Sequence, residues 1–552
     1  MIRRKIEMYR TTGEMFNMVV NKFPNNAAII YKGETITYLD LLGRVNNFAK
    51  GLLTLGINKG DKVGICLVTC PEWVIAKFAI LKIGGVVIPI NNRYTSEELL
   101  YVLDHSDSMS LIIHDEYADL NYSEMIGGII PGIEAFQPGE IKSEDLPLLK
   151  NVIYVSEKSY PGSFNYYEVM EKGSGRDLDE KLASAEASVE TEDLANIQYT
   201  SGSTGLAKGV MLNHNFLKNP ISITQGNHIT EQDRLVTFLP FSHCFGSMDG
   251  VFGMISHGAC MVMDDYFNAK RALELIEQYK CTVLHGVPTV FIKMMEEPDF
   301  HKYDISSLRT GLIGGAPSSL QTMEDIINKM GIKEITPIYG MTECSCPVSQ
   351  TVIGDSFEKI TTTVGKPLPG VIIELVKPGT GEVVPPGQDG EICISGPSVM
   401  MGYYKDPEET KKAIDKEGRF HSGDVAVFTE DGYLKITGRV KEMYITSGEN
   451  VLPSEIEDYL YRYPKIAQCA VIGVPHAVRG EVGMAFIKPK EGQVCSEDEI
   501  IEFCKKGLAK YKIPRYVESI SEFPMTGVGK IKKIDLKERV EEILKGREEE
   551  AD

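Results

Sequence analysis

The hydroxyls of Thr200, Ser201, Ser203 and Thr204, the glycines Gly202, Gly205 and Gly209, and the cation Lys208 crowd into one short run, Tyr199-Thr200-Ser201-Gly202-Ser203-Thr204-Gly205-Leu206-Ala207-Lys208-Gly209-Val210. Glycine permits the backbone angles that turn successive N–H groups toward one point, and such a nest binds anions. Hydroxyls add short donors and Lys208 adds a mobile positive charge. That is chemistry for gripping phosphate oxygens. It is not a Walker A loop, because Ala207 precedes the lysine and Gly209 follows it. A flexible Ser/Gly linker is the competing reading, although linkers seldom place Lys and apolar residues so regularly.

Three further clusters could share that chemistry. Phe241-Ser242-His243-Cys244-Phe245-Gly246 sets a histidine between aromatics just after an apolar strand-like run. A packed core histidine is the plainer reading of it. Gly314-Gly315-Ala316-Pro317 is a small-residue loop that lets a flat ring approach the backbone closely. Tyr339-Gly340-Met341-Thr342-Glu343 offers an aromatic suited to a purine, a hydroxyl, and a carboxylate suited to Mg²⁺ beside phosphates.

The elements that must carry these clusters alternate. Ala28-Ile29-Ile30-Tyr31 and Thr35-Ile36-Thr37-Tyr38 around Lys32-Gly33-Glu34 signal a hairpin. Helical spacing follows over 41–55, then a buried strand over 62–68, a helix over 73–83 stopped by Gly84-Gly85, and a strand over 86–90. Strand, helix, strand at this rhythm predicts doubly wound α/β sheets, which bind ligands at the strands' carboxyl ends. The interval 156–192 reads as surface loop with one helix. From about 365 the chain turns β-rich with Pro/Gly turns, and 442–552 reads as a compact α+β unit ending in a solvated tail.

At 552 residues the chain exceeds one core. A formal net charge of −20 argues against a nucleic-acid partner. The 11 cysteines are scattered without zinc spacing, which suits a reducing compartment. No apolar run approaches the ~20 residues of a membrane helix, and Arg3-Arg4-Lys5 leads into no apolar stretch, so a cytoplasmic protein is expected.

In order and spacing these motifs, with Ser422-Gly423-Asp424, Gly438-Arg439-Val440-Lys441, Ser447-Gly448-Glu449-Asn450 and Thr526…Gly529-Lys530, resemble the adenylate-forming superfamily that includes acyl-CoA synthetases. The resemblance spans essentially the whole chain. Ser203 and Ser422 stand where Thr is common, and Ala207 where Pro is common; each Ser keeps its hydroxyl. The resemblance implies an N-terminal domain over 1–440 and a mobile C-terminal domain over 441–552, with Lys441 at the pivot. It implies that ATP and a carboxylic acid give acyl-AMP, which CoA then converts to a thioester.

The residue roles it implies are these. Thr200, Ser201, Gly202, Ser203, Thr204, Gly205 and Lys208 grip the β- and γ-phosphates. Gly315, Ala316, Pro317, Tyr339, Gly340 and Met341 frame the adenine; Thr342 reaches the α-phosphate and Glu343 holds Mg²⁺. Asp424 and Arg439 take the ribose, His243 lies on the acid side, and Lys530 bridges the carboxylate and the α-phosphate. Gly448 leaves room for the pantetheine arm. Arg479, Lys505, Lys506, Lys510 and Lys512 are candidates for the CoA phosphates, and a homodimer is a family-level expectation.

The acid pocket is expected between 243–246, Gly314-Gly315 and Gly340-Met341. Amino-acid activators usually carry an Asp near Phe241, where Ser242 and His243 stand here. A fatty, alicyclic or aromatic acid is therefore expected, the Phe-x-His-x-x-Gly pattern resembling medium- to long-chain synthetases. Transfer to a carrier-protein thiol, luciferase-like oxidation and non-catalytic nucleotide binding stay open.

Overall fold

The computed structural model describes residues 9–200, 207–446, 449–476, 479–525 and 531–549. They fall into two compact units, Met1–Ile373 with Ile394–Phe420, and Glu374–Cys393 with His421–Asp552.

The larger unit is built on two wide sheets. In the first, strands Lys62–Cys66, Val86–Pro89, Ser108–His114 and Asn151–Val155 run parallel, and Leu194–Thr200 joins them parallel to Val86–Pro89. Lys208–Asn213 then returns antiparallel beside Leu194–Thr200. The apolar stretch after the phosphate-type run is therefore a strand, and the helix Lys218–Gly226 begins later. In the second sheet Ala27–Tyr31, Cys260–Met263, Arg234–Thr237, Val283–Leu284, Thr310–Ile313 and Glu334–Met341 are parallel neighbours. The expected hairpin forms its edge, Glu34–Thr37 pairing antiparallel with Ala27–Tyr31. On the other side antiparallel Cys346–Gln350 follows, with Lys366–Pro367 paired at the edge.

Local chemistry sets the helix starts. Thr37 and Asp40 make a reciprocal capping box, with Asp40 N–H donating to Thr37 Oγ1 at 3.1 Å. Thr95 and Glu98 repeat the device on Ser96–His105. Pro71 opens Pro71–Lys82 where its missing N–H costs nothing. That helix is buried all round, as helices between layers are. Gly84 stops it at φ 76°. The interval 156–192 holds two helices, Tyr166–Lys172 and Asp179–Ala187, one more than its polar composition suggests. Tyr166 and Val169 are fully buried, and Phe48 stacks on Tyr166 at 4.2 Å, so a few apolar anchors decide the matter.

The smaller unit holds a four-stranded sheet, ordered Ile372–Val376, Gly390–Ser395, Phe420–Phe428, Leu434–Arg439. It also holds a second sheet in which Ile466–His476 and Gly480–Pro489 form a long antiparallel pair. Each face of that pair has its own core. Val471, Ala485, Ile456 and Ile500 pack on one side, and Ile472, Met484, Phe486 and Leu536 on the other.

Candidate functional site

Thr200 and Lys208 are direct partners across the antiparallel pair, so the phosphate-type run is pinned at both ends by one ladder. Ser201, Gly202, Ser203, Thr204 and Gly205 lie outside the described residues, as do Gly448 and Lys530. Gly209 fits closely, since a Cβ there would sit 2.8 Å from Ile197 Cγ2. The Lys208 ammonium forms an ion pair with Glu409 and lies 5.1 Å from the centre of the Tyr403 ring. Tyr403 and Glu409 come from a segment that periodicity did not single out. Tyr403 is on the short strand Gly402–Tyr403 and Glu409 on the helix Pro407–Ala413.

Tyr403 links this lysine to the next group. Its hydroxyl donates to Glu343 Oε1 at 3.0 Å. Burial pushes the Glu343 carboxyl up from its ordinary value, against the pull of its own backbone N–H and the Tyr403 hydrogen bond. Among the described residues no cation is ion-paired with Glu343, so a largely buried carboxylate waits beside a phosphate-type run. That fits a hard ion held by one carboxylate plus phosphate oxygens.

Thr342 precedes Glu343 on one 3₁₀ turn, Thr342–Cys344, at the end of Glu334–Met341. Its Oγ1 lies 3.5 Å from Cys244 Sγ. His243 sits beside Cys244, and its Nδ1 accepts from Phe245 N–H at 3.2 Å. The ring is exposed, not packed in the core. Its turn is held from two sides: Thr69 Oγ1 donates to Leu239 O at 3.0 Å, and the Gln198 amide donates to Ser242 O. The π-helical stretch Phe245–Phe252 follows, entirely buried.

The small-residue loop lies alongside. Phe245 stacks on His285 with ring centres 6.2 Å apart. The next residue, Gly286, accepts from Gly314 N–H at 3.4 Å. Gly315 adopts φ 78°, and Ala316 and Pro317 lead to the helix Leu320–Asn328, capped by Ser319. Tyr339 is half-buried on its strand. A Cβ at Gly340 would fall 2.2 Å from Cys346 O, so no other residue fits there unless the backbone moves. Met341 pairs with Cys346 across the ladder. His243–Phe245, Gly314-Gly315 and Gly340–Glu343 therefore converge in the larger unit, at the carboxyl ends of its parallel strands.

In the smaller unit Asp424 and Arg439 are strand partners, and Arg439 Nε meets Asp424 Oδ1 at 2.9 Å. Glu391 braces this strand, a role its sequence position gave no sign of. Its Oε2 lies 3.0 Å from His421 Nδ1, its Oε1 accepts from Gly423 N–H at 3.1 Å, and Cys393 Sγ is 3.4 Å from the same His421 nitrogen. Lys441 is exposed just beyond Arg439. Of the basic residues expected for CoA, Lys505 pairs with Glu502 and Lys512 with Glu455, both at 2.6 Å.

A family model described as AMP-binding enzyme matches residues 16–404, and one described as AMP-binding enzyme C-terminal domain matches 455–530. The chain is similar to a putative acyl-CoA synthetase, YngI, of Bacillus subtilis (strain 168), 41% identical over 543 residues, which are 97% of this chain and 98% of that one. It is 34% identical over 544 residues to the mitochondrial medium-chain acyl-CoA ligase ACSF2 of Homo sapiens, covering 97% of this chain and 88% of the relative. Among solved structures, ATP-bound MatB from Rhodopseudomonas palustris superposes with a TM-score of 0.79 at 28% identity, covering 96% and 99% of the two chains. A Mycobacterium tuberculosis fatty acyl CoA synthetase superposes with a TM-score of 0.72 at 26% identity, covering 96% and 98%. None of the described helices is long and apolar enough to cross a membrane. With Cys244, Thr342, Glu343, Tyr403 and Lys208 linked through one turn and both family models matching, the chain belongs to the AMP-binding enzymes, as an AMP-forming acid–thiol ligase of the acyl-CoA synthetase kind.

Proposed function

We propose that this enzyme activates an aliphatic carboxylic acid of medium to long chain and passes it to CoA. The observation that carries the reading is the turn Thr342–Cys344: Thr342 faces Cys244 beside His243, and Glu343 faces Tyr403 under Lys208. Acid-side and phosphate-side groups are thus one residue apart. The relatives named medium-chain ligases support the chain length.

In the first half-reaction a carboxylate oxygen attacks the α-phosphorus of ATP. The acyl O–P bond forms, the bond to the bridging oxygen breaks, and pyrophosphate leaves. Carboxylate and triphosphate repel, so positioning and positive charge matter more than covalent help. Thr200, the hydroxyls that follow it, and Lys208 hold the β- and γ-phosphates, and Lys208 gives up Glu409 to do so. Thr342 orients the α-phosphate. Tyr339 and Gly315-Ala316 frame the adenine; Asp424 and Arg439 hold the ribose. Glu343 would hold Mg²⁺, which when bound neutralises phosphate charge. Lys530 bridges the two reacting groups, and removing such a stabiliser costs on the order of 10²–10³ in rate. In the second half the CoA sulfur attacks the acyl carbon, AMP leaves with the C–O bond pair, and the thiol proton passes to solvent. Rotation about Lys441 withdraws Lys530 and brings the Gly448 loop to the adenylate. The proposed setting is the cytoplasm.

Pyrophosphate exchange into ATP across a panel of carboxylic acids, with and without CoA, tests the reading. Exchange with aliphatic acids, and a free thioester only with CoA, is the expected result. Lys530→Ala should abolish exchange yet spare thioester formation from supplied acyl-AMP. Exchange with no acid, or an adenylate that CoA never discharges, overturns it.

A further inference from the structure

Glu391, Cys393 and His421 form a group of metal-ligating side chains that the acyl-activating chemistry does not use. Gly390–Ser395 and Phe420–Phe428 are neighbouring strands of the four-stranded sheet. Glu391 and Cys393 stand two residues apart on the first, so alternation puts both on one face. His421, on the second, meets them there: its Nδ1 lies 3.0 Å from Glu391 Oε2 and 3.4 Å from Cys393 Sγ. One ligand atom from each residue falls within 4.8 Å of the other two.

A single ring nitrogen presents one proton or one lone pair, so it cannot serve a carboxylate and a thiol alike. One cation can take electron pairs from all three. Thiolate, imidazole and carboxylate together suit Zn²⁺, whereas Mg²⁺ takes oxygen ligands. Zn²⁺ binds such atoms at about 2.0–2.3 Å, so tetrahedral ligand atoms stand roughly 3.3–3.6 Å from one another. The spacings of 3.0 and 3.4 Å come within a few tenths of an ångström of that. Outer support is built in as well. The other carboxylate oxygen, Glu391 Oε1, accepts from Gly423 N–H at 3.1 Å, which orients the carboxylate. Cys393 is 1% exposed and dry, while the His421 side chain is 23% exposed, which leaves a way in and a fourth position for water. The positions 391, 393 and 421 match no zinc spacing in the sequence, because the ligands come from two strands and meet only through the sheet.

We propose that Glu391, Cys393 and His421 bind one Zn²⁺ ion, which ties the strand leading into Asp424 to its neighbour in the smaller unit. On binding, the Cys393 S–H bond breaks, the sulfur–metal bond forms, and the proton leaves to solvent. The tie reaches further, since Gly423 O accepts from Val440 N–H at 2.8 Å, next to the Arg439 that meets Asp424. The ion takes no part in the chemistry of the acid, and the proposal stands whichever acid is activated.

The test is titration of the full chain, first stripped of metal by a chelator, with Co²⁺ and Zn²⁺, followed by absorption and equilibrium dialysis. The first equivalent of Co²⁺ should give a near-ultraviolet thiolate-to-cobalt band and the intense visible bands of a tetrahedral ion. Zn²⁺ should displace it and Mg²⁺ should not. Binding should tighten as pH rises, because the thiol gives up its proton. Cys393→Ser should remove the thiolate band and weaken Zn²⁺ binding by about 10²-fold or more. His421→Gln should weaken it comparably. Zn²⁺ should raise the melting temperature of the wild-type chain and not that of Cys393→Ser. The remaining cysteines stay in both variants and serve as the internal control. Should His421→Gln not fold, Cys393→Ser, a change of one atom, carries the test alone. No thiolate band in the wild type, a band that survives in Cys393→Ser, or equal Zn²⁺ affinity of the two would overturn the proposal and leave the three residues as a hydrogen-bonded brace. None of these results touches the acyl-activating reading, which pyrophosphate exchange tests separately.

Discussion

Gly340→Ala isolates how much the site depends on backbone placement. A Cβ at this position would lie 2.2 Å from Cys346 O, 2.5 Å from Pro347 Cα and 2.6 Å from Cys346 C. All three are backbone atoms, so no side chain can swing away. Relief requires a separation near 3.4 Å, so one strand must move by about 1 Å. The facing strand is poorly placed to yield, because Ser345 and Cys346 already occupy the left-handed region at φ 59° and 72°. The ladder already shifts register between Tyr339 and Gly340. The displacement therefore falls on Thr342 and Glu343, two and three residues downstream. Overpacking of this kind costs typically 1–3 kcal/mol of stability. A 1 Å misplacement of reacting groups costs on the order of 10² in rate. Pyrophosphate exchange should fall by about that factor, with a melting temperature lowered by only a few degrees. Gly43→Ala is the matched control: it lies in the helix Tyr38–Thr54 with nothing within 4 Å of the added methyl, and should stabilise by up to ~1 kcal/mol at unchanged rate. Full activity in Gly340→Ala, with Thr342 and Glu343 unmoved in its structure, would refute the argument.

Two other perturbations test separate links. Glu409→Ala releases Lys208 from its ion pair and should lower the KM for ATP while leaving kcat nearly unchanged; a raised KM would show that Glu409 helps to position the lysine. His214 is buried with Nδ1 3.3 Å from Thr12 Oγ1, and burial pushes its imidazole down to about 4. The unfolded chain, titrating near 6.5, binds the proton first, so this contribution is complete above pH ~6.5 and is lost as pH falls toward 4. The loss amounts to about 3 kcal/mol over that window, and His214→Gln should flatten the acid limb of a denaturation series by that amount.

The parallel strands were legible because buried strands are short apolar runs between turn signals, and Lys62–Cys66, Val86–Pro89 and Asn151–Val155 have that form. Thr200 and Lys208 were legible because anion binding needs a recognisable composition. Their pairing across a ladder was not, since only the register brings them opposite each other. Tyr403 and Glu409 left no trace in local pattern. They matter through contacts with residues some sixty and two hundred positions earlier, and nothing in Gly402-Tyr403-Tyr404 or Pro407-Glu408-Glu409 announces a partner. The stretch Phe245–Phe252 was opaque for a different reason. It is buried on every side, so it lacks the one-sided periodicity from which helices are read, and Gly246 and Gly250 weaken its propensity further. An aspartate inside such a stretch reads as a surface position until packing shows it at zero exposure. Composition exposed the groups proposed to handle phosphate, which every substrate of this chemistry shares. Asp249 and Lys77 are ordinary residues made unusual only by where the fold buries them.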